Sequence, residues 1–355
     1  MIQKALALIL SLITIFTSNS QVERGLSINY KHGYLGAHRP TIAHLPIETA
    51  RGIELSYINT LTYSNKGQNI PHAKGVALLY MGSGNPEKIG DIYGLYGHAT
   101  WPFWFNDKIS LESRSGLGLG YVDKVFDFEN NPLNPAIGSH LNALVSLRVN
   151  LKYFFKQSSL SFGTELLHLS NGALKLPNFG LNYMFLNLNY ARKFGVEDKE
   201  KSTVELNRSR NAWLMRFCFG AKEIPPSNQD RYGIGSLALG YRQTLNALSQ
   251  FEGIVEFNYN SSLRGSLPAI EKDFQDYVQV GAFVGHSVHV NRFSSILGMG
   301  VYLVDKFNLN GPFFHRFGVR YEIIENLQLE YAVRAFWGRA DYFEFGISYY
   351  IPHKK

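Results

Sequence analysis

Apolar and polar residues alternate with a period of two along most of the chain. Ala143, Val145, Leu147, Val149, Leu151, Tyr153 and Phe155 form an unbroken apolar series, with Ser146, Arg148, Asn150 and Lys152 between them. Phe317, Val319 and Tyr321 alternate with Arg316, Gly318, Arg320 and Glu322 in the same way, and Phe343, Phe345, Ile347 and Tyr349 with Glu344, Gly346 and Ser348. Successive side chains of an extended chain point to opposite faces, so each segment has one apolar face and one bearing Arg, Glu, Asn or Gly. About sixteen segments follow the rule, near 25–35, 50–62, 72–83, 92–105, 109–123, 140–155, 159–171, 181–194, 210–223, 232–245, 249–262, 276–290, 293–305, 312–323, 327–338 and 341–351. Many run beyond the five or six residues of a mean globular strand and match a tilted strand crossing a bilayer, about 9–11 residues plus its rims.

The connections alternate too. After even-numbered segments they are tight, as at Asn65-Lys66-Gly67, Asn106-Asp107, Lys156-Gln157, Asn246-Ala247, Asn291-Arg292 and Glu325-Asn326. After most odd-numbered ones they are longer and rich in Pro, Asn and Gly, as in 124–139 and 263–275. Short turns at one end and long loops at the other are the habit of outer-membrane barrels. Trp101, Phe103, Trp104 and Phe105 beside a tight turn read as an aromatic girdle at the membrane interface. The connection 195–208 breaks the rule by being long and charged at the midpoint of the count. A faint repeat surrounds it: Leu117-Gly118-Leu119-Gly120 with Tyr121-Val122-Asp123-Lys124 ends the fifth segment. Leu297-Gly298-Met299-Gly300 with Tyr302-Leu303-Val304-Asp305-Lys306 ends the thirteenth. The expected fold is all-β, a transmembrane antiparallel β-barrel of the outer-membrane type with about sixteen strands from two eight-strand halves. One closed barrel is preferred to two in tandem. The halves are 21–194 and 209–355, joined by 195–208.

Composition narrows the class. Charged residues make up 18% of the 355, aromatics 14%, and there are 33 Gly. The aromatic content excludes intrinsic disorder. The formal charge of +7 comes without a Lys/Arg block, so nucleic acid is not an expected partner. A single cysteine, Cys218, excludes an intramolecular disulfide framework and Cys-based metal sites. His286 and His289, three apart on a strand, face opposite ways, so a transition-metal site is not expected, while calcium at loop carboxylates stays open. No cofactor is expected. At the amino terminus, Lys4, the apolar run Ala5–Phe16 and the small residues Ser18-Asn19-Ser20 have the form of a secretory signal peptide, 1–20, cleaved after Ser20. Its apolar run is too short to span a bilayer.

Candidate chemistry lies on the seventh segment. Leu160, Phe162, Thr164, Leu166, His168 and Ser170 share one face, apolar at its start and so turned to lipid, whereas Ser161, Gly163, Glu165, Leu167 and Leu169 share the other. His168 and Ser170 then stand together at the external end, open to the outer leaflet, where an imidazole can take the proton of a hydroxyl. The stretch His168-Leu169-Ser170-Asn171-Gly172-Ala173-Leu174-Lys175-Leu176-Pro177-Asn178-Phe179-Gly180 resembles the active-site segment of the outer-membrane lipid A 3-O-deacylases, the PagL family. The motif covers about 15 residues and the topology about 22–194, and the pair falls on the seventh of eight strands, as in that family.

The resemblance implies His168 as general base and Ser170 as nucleophile. Asn178 and the backbone N–H groups near Asn171 and Gly172 would be oxyanion donors, and an outer-leaflet lipopolysaccharide or phospholipid the substrate. The family's acid, on the last strand, falls here at Asn182, a departure. An amide cannot offset an imidazolium charge, but its oxygen can accept from the ring and hold the tautomer. Asn182 shares the parity of Met184, Leu186 and Leu188, so it too faces outward. In the second half, aligning Leu327 with Leu160 puts Ala335 and Trp337 at the positions of His168 and Ser170, so that half is expected to be structural. The competing reading is a non-catalytic barrel, a channel or scaffold. Oligomeric state is not legible in the chain.

Overall fold

The computed structural model describes residues 22–353 other than 66–67, 198–210, 226–229, 246–248, 268–269, 272, 291 and 337–338. The expected signal peptide and most of the charged connection, 198–208, lie outside the described residues. Sixteen strands carry the fold: β1 (Val22–Leu35), β2 (Ala50–Asn65), β3 (Gln68–Gly82), β4 (Asp91–Phe105), β5 (Ile109–Val122), β6 (Leu141–Phe155), β7 (Ser158–Ser170), β8 (Leu181–Glu197), β9 (Ala212–Glu223), β10 (Arg231–Thr244), β11 (Ser249–Asn260), β12 (Val278–Val290), β13 (Phe293–Val304), β14 (Phe313–Ile324), β15 (Leu327–Phe336) and β16 (Arg339–Pro352). Each overlaps the segment that the alternation predicts. Tight turns at Lys156 (φ +51°) and Asn326 (φ +65°) take left-handed backbone, the conformation short hairpins need.

The sheet closes twice. Strands β1 to β8 form one closed barrel and β9 to β16 a second. β8 returns to β1 with Tyr190 opposite Ile28 and Leu188 opposite Tyr30, and β16 returns to β9 with Ile347 opposite Phe217. The single sixteen-strand barrel preferred from the sequence is therefore corrected to two tandem barrels. Period-two alternation is the same in either arrangement, so it could not separate them. Closure after eight strands satisfies every edge N–H and C=O at once, as a membrane requires, and leaves an interior only wide enough for side chains.

Those interiors are occupied by paired charges. In the first barrel Glu54 and Glu165 are fully buried and share Lys31, at 2.8 and 2.7 Å, and Arg148, at 2.8 and 3.0 Å; Arg114 adds a contact to Glu54 at 2.6 Å. The Tyr96 hydroxyl donates to the same Glu54. In the second barrel Arg216, Arg316, Arg320 and Arg334 interleave with Glu252, Glu256, Glu330 and Glu344. Arg320 joins Glu252 (2.7 Å) to Glu330 (2.8 Å), and Arg334 joins Glu256 (2.6 Å) to Glu344 (2.8 Å). Buried charges are tolerated only when paired and hydrogen-bonded, and these are. The outer faces are the reverse: Leu26, Ile28, Leu147, Leu151, Phe162 and Leu186 in the first barrel, and Phe217, Leu237 and Phe257 in the second, are exposed, as a lipid-facing wall demands. Phe103, Trp104 and Phe105 are exposed beside the β4–β5 turn, where the girdle was expected.

Two outcomes follow. Glu344→Ala strips a carboxylate from Arg216, Arg316 and Arg334 and lowers stability by about 3 kcal/mol or more, read from the urea midpoint of the protein refolded in vesicles. Wild-type protein in planar bilayers gives no steady ion conductance, because neither lumen is an aqueous channel.

Candidate active site

The site grows from the β7–β8 pairing. On β7 the exposed residues Leu160, Phe162, Thr164 and Leu166 alternate with buried Ser161, Gly163, Glu165, Leu167 and Leu169. This puts His168 and Ser170 on the outward face. On β8 Met184, Leu186 and Leu188 are exposed, and Asn182 shares their parity. The ladder sets His168 directly opposite Asn182, a cross-strand pair whose side chains leave the same face of the sheet.

The three side chains are connected. His168 Nδ1 lies 2.6 Å from Asn182 Oδ1 and His168 Nε2 lies 2.9 Å from Ser170 Oγ. An amide oxygen only accepts, so Nδ1 carries the proton; the neutral ring then presents Nε2 as an acceptor, and the Ser170 hydroxyl donates to it. The hydroxyl is thus aimed at a base whose other nitrogen is held. One expectation changes here. Ser170 is 5% exposed and His168 half-buried, so the pair is more enclosed than the lipid-facing side chains Leu160, Phe162 and Leu166 of the same strand.

Two further residues pack against this path, and neither is signalled by strand alternation. Gly180 has φ +79°, and a Cβ there would lie 2.8 Å from His168 Cε1 and 3.3 Å from the Leu169 carbonyl oxygen. A left-handed backbone and a ring pressed against it together demand glycine. His38, in the loop after β1, accepts from the Asn182 amide, Nδ1 to Nδ2 at 3.0 Å, and its Nε2 lies 3.1 Å from the Phe179 carbonyl oxygen. Arg39 beside it lies over the Phe179 ring, 5.3 Å from the centroid.

The other expected site residues lie in the segment that follows Ser170. Asn171 follows Ser170, is buried, and its Nδ2 donates to Ser139 Oγ at 2.7 Å. Gly172 has φ +59° and Asn178 is half-buried. Both belong to the segment Gly172–Asn178, which groups with the second unit, Glu205–Lys355, while His168, Ser170 and Asn182 belong to the first.

In the second half Ala335 is buried on β15, and Trp337 lies outside the described residues. Among the described residues, two other serine–histidine pairs in hydrogen-bond contact lie there. Ser287 and His289, 3.0 Å apart, are buried inside the barrel. Ser249 Oγ lies 2.6 Å from His286 Nε2 on the outer face, but among the described residues nothing holds the other nitrogen of that ring. Among the described residues no group of three or more His, Cys, Asp and Glu could hold a metal.

Gly180→Ala meets both the strained φ and the ring, and costs about 2 kcal/mol. Its urea midpoint falls, and the ¹⁵N resonances of the His168 ring move while those of His286 do not.

Two family models match the chain: lipid A 3-O-deacylase (PagL) over residues 51–191, and the C-terminal domain of acyloxyacyl hydrolase over 211–354. Among solved structures, Neisserial surface protein A is 11% identical, covering 48% of this chain and 97% of its own, with a TM-score of 0.33. The outer membrane enzyme PagL is 16% identical, covering 46% and 97%, also at 0.33. A mutant of Rh. blastica porin is 9% identical over 93% and 100%, at 0.21. No curated protein matches. Between them the two family models reach both barrels, and the chain belongs to the PagL lipid A 3-O-deacylase and acyloxyacyl hydrolase family of outer-membrane β-barrels.

Proposed function

We propose that this chain is an outer-membrane ester hydrolase that removes an acyl chain from lipid A, or from a phospholipid of the outer leaflet, with Ser170 as nucleophile and His168 as general base. Membership of a lipid A deacylase family supports the substrate class. The observation that carries the mechanism is the unbroken hydrogen-bond path Asn182–His168–Ser170 on the outward face of a closed barrel.

In the first step Ser170 Oγ bonds to the ester carbonyl carbon while its proton passes to His168 Nε2. The carbonyl electron pair moves onto oxygen, and the oxyanion takes hydrogen bonds from donors near it. The backbone N–H groups of Asn171 and Gly172 and the Asn178 amide are the donors the family resemblance assigns. Collapse breaks the bond to the sugar or glycerol oxygen, which leaves with the proton from His168. Water then attacks the acyl–Ser170 ester, losing its proton to His168, and the fatty acid departs as Ser170 recovers its hydrogen. Asn182 accepts from His168 Nδ1–H throughout. It keeps the tautomer but adds no charge against the imidazolium. Loss of an acid at this role costs about 10⁴ in rate in a serine protease, so the enzyme is expected to be slow.

The remaining organisation follows. Residues 1–20 are a signal peptide cleaved after Ser20, 21–194 form the half carrying the active site, 195–208 connect, and 209–355 form a structural half. Lipopolysaccharide or a phospholipid of the outer leaflet is the partner, without a metal or cofactor.

Mass spectrometry of lipid A and phospholipids from cells expressing the protein tests this. Wild type removes one fatty acyl chain, and Ser170→Ala and His168→Ala remove none. Unchanged lipids in all three would leave a non-catalytic barrel. Asn182→Glu restores an acid and raises the rate at least about ten-fold; a fall would sink the role given to position 182.

A further inference from the structure

We infer that His38 is a positioning residue that sets the direction of the whole proton path, a role made necessary by the amide at position 182. This inference rests on the functional reading above for its catalytic meaning, but not for its structural test.

An amide in the place of a carboxylate has two faces, and both suit a histidine. With Oδ1 toward His168, Nδ1 must carry the proton, Nε2 is a base and Ser170 donates to it. With the amide turned over, Nδ2 donates to His168 Nδ1, the ring proton moves to Nε2, and Ser170 becomes the acceptor. The second state has the same number of hydrogen bonds at the ring and no base. Nothing in the pair His168–Asn182 chooses between them.

His38 chooses. Its Nε2 lies 3.1 Å from the Phe179 carbonyl oxygen, and a carbonyl only accepts, so the Nε2 proton is fixed there. The neutral ring therefore offers Nδ1 as an acceptor. The Gly36 carbonyl oxygen, 3.5 Å from Nδ1, is too far to hold a proton on that nitrogen. Nδ1 then takes a hydrogen bond from Asn182 Nδ2 at 3.0 Å, which turns Oδ1 to His168 at 2.6 Å and leaves Nε2 for the hydroxyl at 2.9 Å. One backbone carbonyl, through His38 and Asn182, orders every proton as far as Ser170. A carboxylate accepts with either oxygen and needs no such director. The dependence on His38 is thus specific to an amide.

The test uses the full-length protein in detergent micelles or liposomes, with wild type, His38→Ala, His38→Gln, Asn182→Asp and the double variant His38→Ala/Asn182→Asp. Histidine ¹⁵N spectra report the tautomer of the His168 ring. Wild type is Nδ1–H; His38→Ala moves a large fraction to Nε2–H; in the Asn182→Asp background His38→Ala leaves the ring Nδ1–H. With lipopolysaccharide as substrate, His38→Ala lowers kcat about ten-fold with KM unchanged, the worth of one positioning hydrogen bond. His38→Gln, which keeps an acceptor and a donor, recovers most of it. The penalty of removing His38 shrinks to a fraction of that in the double variant.

A His168 ring that stays Nδ1–H in His38→Ala overturns the inference, whether or not any lipid is cleaved. A penalty of equal size with Asn or Asp at 182 overturns it too. Wild type that cleaves no lipid, while His38→Ala still shifts the His168 tautomer, overturns the enzymatic reading alone.

Discussion

The narrow lumen of an eight-strand barrel is the constraint on which the rest of this molecule depends. Side chains on the inner face of each strand have nowhere to go but against one another, and every charge there must find its partner within the barrel. The first barrel meets this with Lys31, Arg114 and Arg148 around Glu54 and Glu165, and the second with four arginines threaded among four glutamates. Once the polar face is locked inside, the apolar face has to lie outside, and strand register is decided for every residue along the wall. The outward direction of His168, Ser170 and Asn182 follows from that decision and from nothing local to them.

A wall made this way is also a rigid mount. His168 and Asn182 sit opposite each other across one ladder, so their separation is set by sheet geometry rather than by a loop. Ser249 and His286 are as close as a nucleophile and base need to be, yet among the described residues that ring lacks a holder for its second nitrogen. Proximity of a hydroxyl and an imidazole is cheap in a β-barrel. A held tautomer is what separates the pair on β7.

Much of this could be read in the sequence, for a physical reason. A membrane strand writes its two environments into alternate residues, so Leu147–Phe155 and Phe343–Tyr349 announce both their extended backbone and their two faces, and parity alone sends Asn182 and His168 the same way. What escaped reading depends on contacts between residues far apart in the chain. Whether β8 finds β1 or β9 leaves no mark on alternation, which is why one barrel and two looked alike. His38 lies 144 residues from Asn182, in a loop with no period, and its importance is invisible until the amide is seen between two rings. Gly180 stood within the motif, but only its position beneath the His168 ring explains why it is glycine. The low exposure of Ser170 escaped as well, because parity predicts a direction and not a burial.

The amide at position 182 has an electrostatic consequence. With both rings in their neutral forms, the relay from His38 to Ser170 holds no formal charge at rest. A carboxylate set into the outer wall would carry a desolvation cost at the edge of a hydrocarbon layer, and it would repel a glycolipid headgroup bearing phosphates. An uncharged relay avoids both, and leaves the outer wall at this point without a formal negative charge.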